Sequence, residues 1–241
     1  MTREQSIRAT FDIFKPDGVI EVRSMDGYTF SGYFKDRQRL VSELAKRDDK
    51  TWYFVMNDIN DACYSREQSE RILSKKGLKT TGDKEIEVIR WILIDADPER
   101  PAGVSSTDEE KAKSKETIKR VYKYLKQEGF SDPVVCDSGN GYHLLYSVDM
   151  NVDDSDYTKK FLQTLDMLFS DEYVKIDTAV FNPARITKVY GTIARKGANT
   201  PERPHRASGF VYIPDEIKKN SIHLLKKVIS VLPEKPKPVY R

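Results

Sequence analysis

Trp91-Ile-Leu-Ile-Asp-Ala-Asp97 carries four large apolar residues followed by two aspartates. The apolar run predicts a buried β-strand, on which side chains two residues apart point to the same face. Asp95 and Asp97 should therefore point together from the end of a sheet. Two carboxylates about 5 Å apart repel by roughly 3 kcal/mol at an effective dielectric near 20, so the pair needs a cation, a shared proton or exposure to water. A strand running out into a solvated turn, which Pro98 favours, is the simpler alternative.

The composition indicates one large domain or two small modules with an ordinary core. The chain has 241 residues, of which 33% are charged, and a net charge of +3 that says little about partners. No run approaches the roughly 20 apolar residues of a membrane-spanning helix. The N-terminus has no apolar signal core, so we expect no membrane partner and a cytoplasmic location. Two cysteines exclude a four-cysteine zinc site.

Positive charge is concentrated between Arg185 and Arg206, against the single acid Glu202. Glycines and prolines divide this segment into turns. Basic side chains beside exposed backbone amides suit phosphate binding, although a solvated loop is the commoner outcome for an isolated basic segment. The basic residues and the histidine of the segment are Arg185, Lys188, Arg195, Lys196, Arg203, His205 and Arg206.

Strands and helices alternate irregularly with hairpins, which predicts an α+β fold. A helix is expected over Ser65–Lys75 and a strand over Val174–Val180. Thr107 and Glu110 have the spacing of a capping box, so a helix should begin there. The proline-rich end, residues 233–241, reads as a linker, with the possibility of further domains beyond it.

Two further local patterns carry polar groups. Asp137-Ser-Gly-Asn-Gly-Tyr-His143 is a glycine-rich turn before an apolar strand that opens with a histidine. Ser138 and the neighbouring amides could present donors to an anion. Asp177 interrupts an apolar strand. Each pattern alone is more often structural, but with the aspartate pair and the basic segment they supply what metal-assisted chemistry on a triphosphate requires.

In this order the motifs Asp95-x-Asp97, Ser138-Gly-Asn-Gly-Tyr-His143 and Ile176-Asp177 resemble those of the archaeo-eukaryotic primase (AEP) superfamily. More narrowly, the residues from Trp91 to Gly103 and the block from Asn182 to Arg206 are similar to primase-polymerase domains of mobile elements, phages and CRISPR-associated proteins. The resemblance covers nearly the whole chain. It includes neither a zinc-binding accessory motif nor a helicase segment.

The resemblance implies an AEP catalytic core in two parts. An N-terminal α/β module, residues 1–84, would pack on an RRM-like catalytic module, residues 85–232, with the active site in the cleft. It also implies template-directed nucleotidyl transfer on single-stranded DNA, for primer synthesis, primer extension or both. The template, a primer and NTP or dNTP would be partners, with a helicase or CRISPR integrase as a possible partner or fused domain. Plasmid replication, phage replication and CRISPR adaptation are all compatible settings.

The resemblance also assigns roles to residues. Asp95, Asp97 and Asp177 would hold two Mg²⁺ or Mn²⁺ ions, with His143 completing the catalytic set. Ser138, Gly139 and His143 would contact the nucleotide phosphates. Further nucleotide or template-backbone contacts would come from Arg185, Lys188, Arg195 and Lys196. For Arg203, His205 and Arg206, nucleic-acid binding and a structural role are equally supported.

Two other classes of function remain open from the residues. A metal-dependent nuclease or a replication-origin nicking protein could use the same carboxylates. A nicking enzyme of the two-histidine type is disfavoured, because no two of His143, His205 and His223 stand two apart. A non-catalytic nucleic-acid-binding module on the same sheet would have no need of three aspartates.

Overall fold

The computed structural model describes residues 1–25 and 27–232, so the predicted linker at 233–241 lies outside the described residues. None of the described helices is long and apolar enough to cross a membrane. In chain order the helices and strands are α1 (Arg3–Phe14), β1 (Ile20–Ser24), β2 (Phe30–Phe34), α2 (Arg37–Ala45), β3 (Tyr53–Val55), β4 (Asp58–Ile59), β5 (Leu73–Ser74), β6 (Ile86–Pro98), α3 (Asp108–Gln127), β7 (Val134–Asp137), β8 (Tyr142–Asn151), α4 (Ser155–Phe169), β9 (Val174–Ile176), β10 (Ile186–Lys188), β11 (Ile193–Ala194), β12 (Arg206–Ala207), β13 (Gly209–Tyr212) and α5 (Ile222–Ile229).

The aspartate-bearing strand β6 pairs with β8, β4 and β9 in the larger, antiparallel sheet. The strand order is β13-β7-β8-β6-β4, and β9 pairs with the far end of β6. Alternation along β6 directs Ile92 and Ile94 to one face, where α3 packs and Ser114 Oγ donates to the Ala96 carbonyl oxygen at 2.6 Å. Trp91 points to the other face and meets Phe14 of α1 edge-on, with ring centroids 4.8 Å apart. The aspartates therefore lie on the face that looks toward the N-terminal elements.

The smaller sheet has the order β10-β3-β1-β2-β5. Helix α1 packs on it through Ile7, Phe11 and Phe14, all buried. The helix begins with a capping box, in which Thr2 accepts from the Gln5 amide and the Gln5 side chain accepts from the Thr2 amide. Phe11 and Phe14 both contact Phe54 of β3, which joins this helix to the sheet.

The two sheets exchange strands. β4, from the N-terminal part of the chain, pairs with β6 of the larger sheet. β10, from the C-terminal part, pairs with β3 of the smaller sheet. One continuous hydrophobic core runs through both. The proposed boundary at residue 84 stays a prediction, and strand pairs cross it in both directions.

Two local predictions are wrong. In place of a helix over Ser65–Lys75, a 3-10 turn ends at Ser65 and the chain then follows β2, with Tyr33 N donating to the Gln68 carbonyl oxygen and Glu70 N donating to that of Tyr33. These sheet-edge hydrogen bonds replace the helical ones. The strand predicted over Val174–Val180 stops at Ile176, because Asp177 caps a 3-10 turn through its Oδ1 and the Ala179 amide. The Thr107–Glu110 capping box at the start of α3 is confirmed.

Candidate active site

Three of the predicted site residues lie in a row across the larger sheet: two on strands and one directly after a strand. His143 on β8 pairs directly with Asp95 on β6. On the other side of β6, Asp177 follows β9 by one residue, and its amide donates to the Asp95 carbonyl oxygen at 2.9 Å. Residues opposite each other on neighbouring strands share a face, and Asp97 shares it with Asp95 through the two-residue period. The three aspartates thus project from one face, although Asp177 is distant in sequence from the other two.

This face opens into a cavity of about 350 Å³ between the two sheets. Asp95 and Asp97 line this cavity together with Asp177, so carboxylates from distant parts of the chain line the same cavity. The remaining predicted residues that line the same cavity are Ser138, His143, Arg185, Lys188, Arg195 and Lys196. Acidic and basic groups thus line one cavity, the combination that a metal–triphosphate complex requires.

The two carboxylates of β6 differ in their electrostatics. Burial by itself raises the pKa of Asp95, but the His143 imidazole, 3.5 Å away, and then Lys188 and Arg100 outweigh it, so the pKa is lowered. Burial and then the charge of Asp95 raise the pKa of Asp97, although Arg100 opposes them. Asp95 therefore ionises more readily than Asp97. A cation bound between the two carboxylates would relieve their repulsion.

Lys188 is a cation without a carboxylate partner within 4 Å among the described residues. Its Nζ lies 3.4 Å from the Tyr53 hydroxyl and 4.9 Å from the centre of that ring. Burial lowers the pKa of Lys188 to about 8, with Asp95 opposing the shift. Burial also lowers the pKa of Arg185, whose guanidinium donates to the Ala179 carbonyl oxygen. An anionic ligand in the cavity would stabilise both charges.

The glycine-rich turn packs tightly beside the cavity. Ser138 Oγ accepts from the Gly141 amide at 3.0 Å, which leaves its own hydrogen free to donate. Gly139 has φ +91, and a Cβ there would meet the Ala194 Cβ at 2.5 Å. Its amide donates to Asp137 Oδ1 at 2.7 Å, so this particular amide is already engaged. The turn therefore offers the Ser138 hydroxyl toward the cavity. Gly139 instead allows the turn to pack closely against Ala194.

The basic segment divides into two groups. Lys196 lines the cavity, and so does Arg195, which also donates to the Asp48 carbonyl oxygen. Arg203 instead donates two hydrogen bonds of 2.8 Å to the Glu110 carboxylate, and Arg206 donates one of 2.6 Å to Asp108. Both therefore anchor the segment to the start of α3.

His205 also makes an intramolecular contact, through Nε2 and the Gly197 carbonyl oxygen at 2.9 Å. None of Arg203, His205 and Arg206 lines the cavity. Their contacts favour the structural role over the DNA-backbone role for these three residues, whose binding to nucleic acid stays a prediction.

Two residues of the site were not identified from the sequence. Arg100, with a side chain only 5% exposed, donates to Asp97 Oδ1 at 2.8 Å and is held by the Pro98 and Val104 carbonyl oxygens. Its position three residues after Asp97 is a local signal that could have revealed the pair. Tyr190, whose hydroxyl lies 2.8 Å from His143 Nδ1, gave no local signal because its partner is distant in sequence.

The donor set fits hard divalent ions, which prefer carboxylate oxygens. Each of the three aspartates uses one oxygen within the described chain: Asp97 Oδ1 meets Arg100, Asp177 Oδ1 accepts from Ala179, and Asp95 Oδ1 faces His143. The second oxygen of each carboxylate has no hydrogen-bond partner among residues 1–25 and 27–232. In those same residues, no three acidic, histidine or cysteine side chains converge as a ready metal-binding group. The aspartates line a common cavity but do not meet at one point.

Solved structures share this architecture. The AEP domain of the primase-polymerase of cyanophage S-2L is 11% identical, with a TM-score of 0.55 over 95% of this chain and 97% of that one. The primase RepB' is 10% identical, with a TM-score of 0.51 over 94% of this chain and 62% of that one. No family model and no curated protein matches the sequence. The likeness confirms the predicted α+β fold of the AEP catalytic core.

Proposed function

We propose that this chain, whose fold is that of the AEP domain of primase-polymerases, is a template-directed nucleotidyl transferase of that superfamily. Its substrates are nucleoside triphosphates and single-stranded DNA. Its reaction is the synthesis or extension of a primer. Divalent Mg²⁺ or Mn²⁺ ions are its cofactors.

One observation supports the proposal above the others. Asp95, Asp97 and Asp177 line one cavity with His143 and with the cations Arg185, Lys188, Arg195 and Lys196. A fold alone does not specify an activity, so the residues of the cavity carry the argument. Carboxylates that share a face of the sheet, in one cavity with cations that have no ion-pair partner among the described residues, match the charges of a metal–triphosphate complex.

Asp95, Asp97 and Asp177 would hold the metal ions through their free carboxylate oxygens. When bound, two such ions activate the attacking hydroxyl and neutralise charge on the leaving pyrophosphate. The backbone hydrogen bond from the Asp177 amide to the Asp95 carbonyl oxygen keeps these two residues side by side without a bound metal ion. Arg100 holds Asp97 in one orientation.

The cations and donors of the cavity would bind the triphosphate. Ser138 and His143 stand at the sheet end, where a hydroxyl and a ring N–H can donate to phosphate oxygens. Lys188 and Arg185 lie at the β10 side of the cavity and supply positive charge. Lys196, which has no ion-pair partner among the described residues, can contact the triphosphate or the template backbone.

The test is incorporation of labelled nucleotides on a homopolymeric single-stranded template. Reactions with ribonucleotides or deoxynucleotides, with and without a primer, and with Mg²⁺ or Mn²⁺ separate priming from extension. The proposal predicts metal-dependent, template-directed products. Release of mononucleotides or nicking of plasmid DNA without synthesis would indicate a nuclease, and metal-independent DNA binding without turnover would indicate a binding module.

A further inference from the structure

Tyr190 is held where the two sheets meet, and its side chain is fully buried. Its ring centroid lies 5.9 Å from that of Phe14 in α1 and 5.2 Å from that of Phe210 in β13. Its backbone carbonyl oxygen accepts from the Thr10 hydroxyl at 3.3 Å. The phenolic hydroxyl is thus fixed in space by elements of both sheets, and it lies 2.8 Å from Nδ1 of His143.

The other ring nitrogen of His143 indicates which atom carries the hydrogen. Nε2 lies 3.5 Å from Oδ1 of Asp95, at the edge of the cavity. An ionised carboxylate can only accept, so a favourable approach requires a hydrogen on Nε2. A neutral imidazole has one hydrogen, and Nδ1 is then a bare acceptor. The Tyr190 hydroxyl is the donor that satisfies it.

The opposite arrangement leaves a buried donor poorly satisfied. If Nδ1 carried a hydrogen, Tyr190 would accept it and its own hydrogen would need another acceptor. Among the described residues, only His143 meets hydrogen-bond geometry with that hydroxyl. The nearby alternatives outside that geometry are the buried Thr187 Oγ1, which has no partner among the described residues, and the weak sulfur acceptor of Cys136. Burial raises the pKa of Tyr190 well above its ordinary value, so the phenol keeps its hydrogen.

We propose that Tyr190 is a positioning residue that donates its hydroxyl hydrogen to Nδ1 of His143 and thereby keeps the ring hydrogen on Nε2, facing the cavity. A donor on Nε2 is what a phosphate oxygen requires, and a fixed ring presents it in one direction. The inference rests on the proposed function only for this last step. The hydrogen-bond arrangement itself is a property of the protein without substrate.

Nitrogen NMR of the imidazole rings tests the arrangement directly. The chain has three histidines, so the side-chain ¹⁵N spectrum is simple, and a His143→Asn variant assigns the signals. At about pH 9, where ordinary imidazoles are neutral, we expect the wild-type His143 to show one tautomer with hydrogen on Nε2. In Tyr190→Phe, which removes only the hydroxyl, we expect a mixture of both tautomers.

The matched control is Tyr146→Phe. Tyr146 is also buried, but its hydroxyl has no hydrogen-bond partner among the described residues. This variant should keep the wild-type His143 spectrum. For nucleotide incorporation, kcat/KM should fall by about 10- to 100-fold in Tyr190→Phe, the loss typical when a partner that orients a functional imidazole is removed, and should not change in Tyr146→Phe.

A wild-type His143 with hydrogen on Nδ1 would overturn the inference, even if Tyr190→Phe failed to fold. So would a Tyr190→Phe spectrum identical to that of the wild type. A wild-type protein that shows the Nε2 tautomer but incorporates no nucleotide would instead contradict the proposed function and leave the role of Tyr190 toward His143 intact.

Discussion

The amide of Asp177 donates a hydrogen bond to the carbonyl oxygen of Asp95 at 2.9 Å. This bond continues the pairing of β9 with β6 by one residue beyond Ala96 and Ile176. It brings the carboxylate after β9 beside the carboxylate pair of β6. The site therefore depends on the register of two short strand segments, and the predictions below follow from that geometry and from the charges around it.

The first prediction concerns the pH dependence of nucleotide binding. Burial lowers the pKa of Lys188 to about 8, so its positive charge is present below this pH and is lost as the pH rises through it. If Lys188 binds the triphosphate, kcat/KM should fall roughly 10-fold per pH unit above about pH 8, because kcat/KM reports the free enzyme. Lys188→Arg should not show this fall. Parallel profiles of the two proteins from pH 7 to 10 would contradict the role.

The second prediction concerns the glycine turn. Ala at position 139 would have an unfavourable positive φ, which costs about 1–2 kcal/mol, and its Cβ would meet that of Ala194 at 2.5 Å. Gly139→Ala should therefore be destabilised in urea by more than that amount, and its KM for nucleotide should rise. In Gly209→Ala the added Cβ meets nothing within 4 Å, so that variant should keep wild-type stability. Equal stability of the two variants would show that the close approach is absent.

The third prediction concerns Lys15, which is 1% exposed and donates to the Asn57 carbonyl oxygen at 2.7 Å. Burial lowers its pKa from 10.5 to about 8, with Asp58 opposing. Between these values the unfolded chain binds more protons than the folded one, so stability rises with pH across this window. The rise should approach about 3 kcal/mol, since each unit is worth 1.36 kcal/mol.

Chemical denaturation at several pH values checks this sign. Lys15→Met has no charge to bury, so the difference in unfolding free energy between wild type and variant should shift in favour of the wild type from pH 8 to 10.5. Comparing the two proteins removes the contribution of groups that titrate in both. A constant difference across that window would mean that Lys15 is not desolvated.

The sequence revealed those features of the site that are local. The spacing of Asp95 and Asp97 after an apolar run is enough to place them on one face, and Thr107 with Glu110 is enough to begin α3. Asp177 was identified as a site residue from the resemblance, yet its pairing with Asp95 depends on a contact between distant segments. The same holds for Tyr190 and His143, because no local sequence pattern predicts a hydrogen bond between them.

Errors in the local predictions have the same origin. Over Ser65–Lys75 the side-chain spacing suits a helix, but the backbone pairs with Tyr33 at the edge of the smaller sheet, and this tertiary contact overrides local propensity. Helix α1 went unpredicted although Thr2 and Gln5 form a capping box, because its apolar residues are diluted by charged ones. Arg100 lies within the stretch from Trp91 to Gly103, whose resemblance assigned it no role, and its ion pair with Asp97 gives it one.

The most direct test of the central claim compares Asp177→Asn with Asp36→Asn in metal-dependent nucleotide incorporation. Both aspartates cap a helical turn by accepting a backbone hydrogen bond, and asparagine caps equally well, so both variants should fold. We predict normal synthesis by Asp36→Asn and a loss of more than about 100-fold in Asp177→Asn, beyond the 10- to 100-fold typical of a residue that only supports a metal ligand. Full synthesis by Asp177→Asn would contradict the assignment of the three aspartates as one metal-binding set.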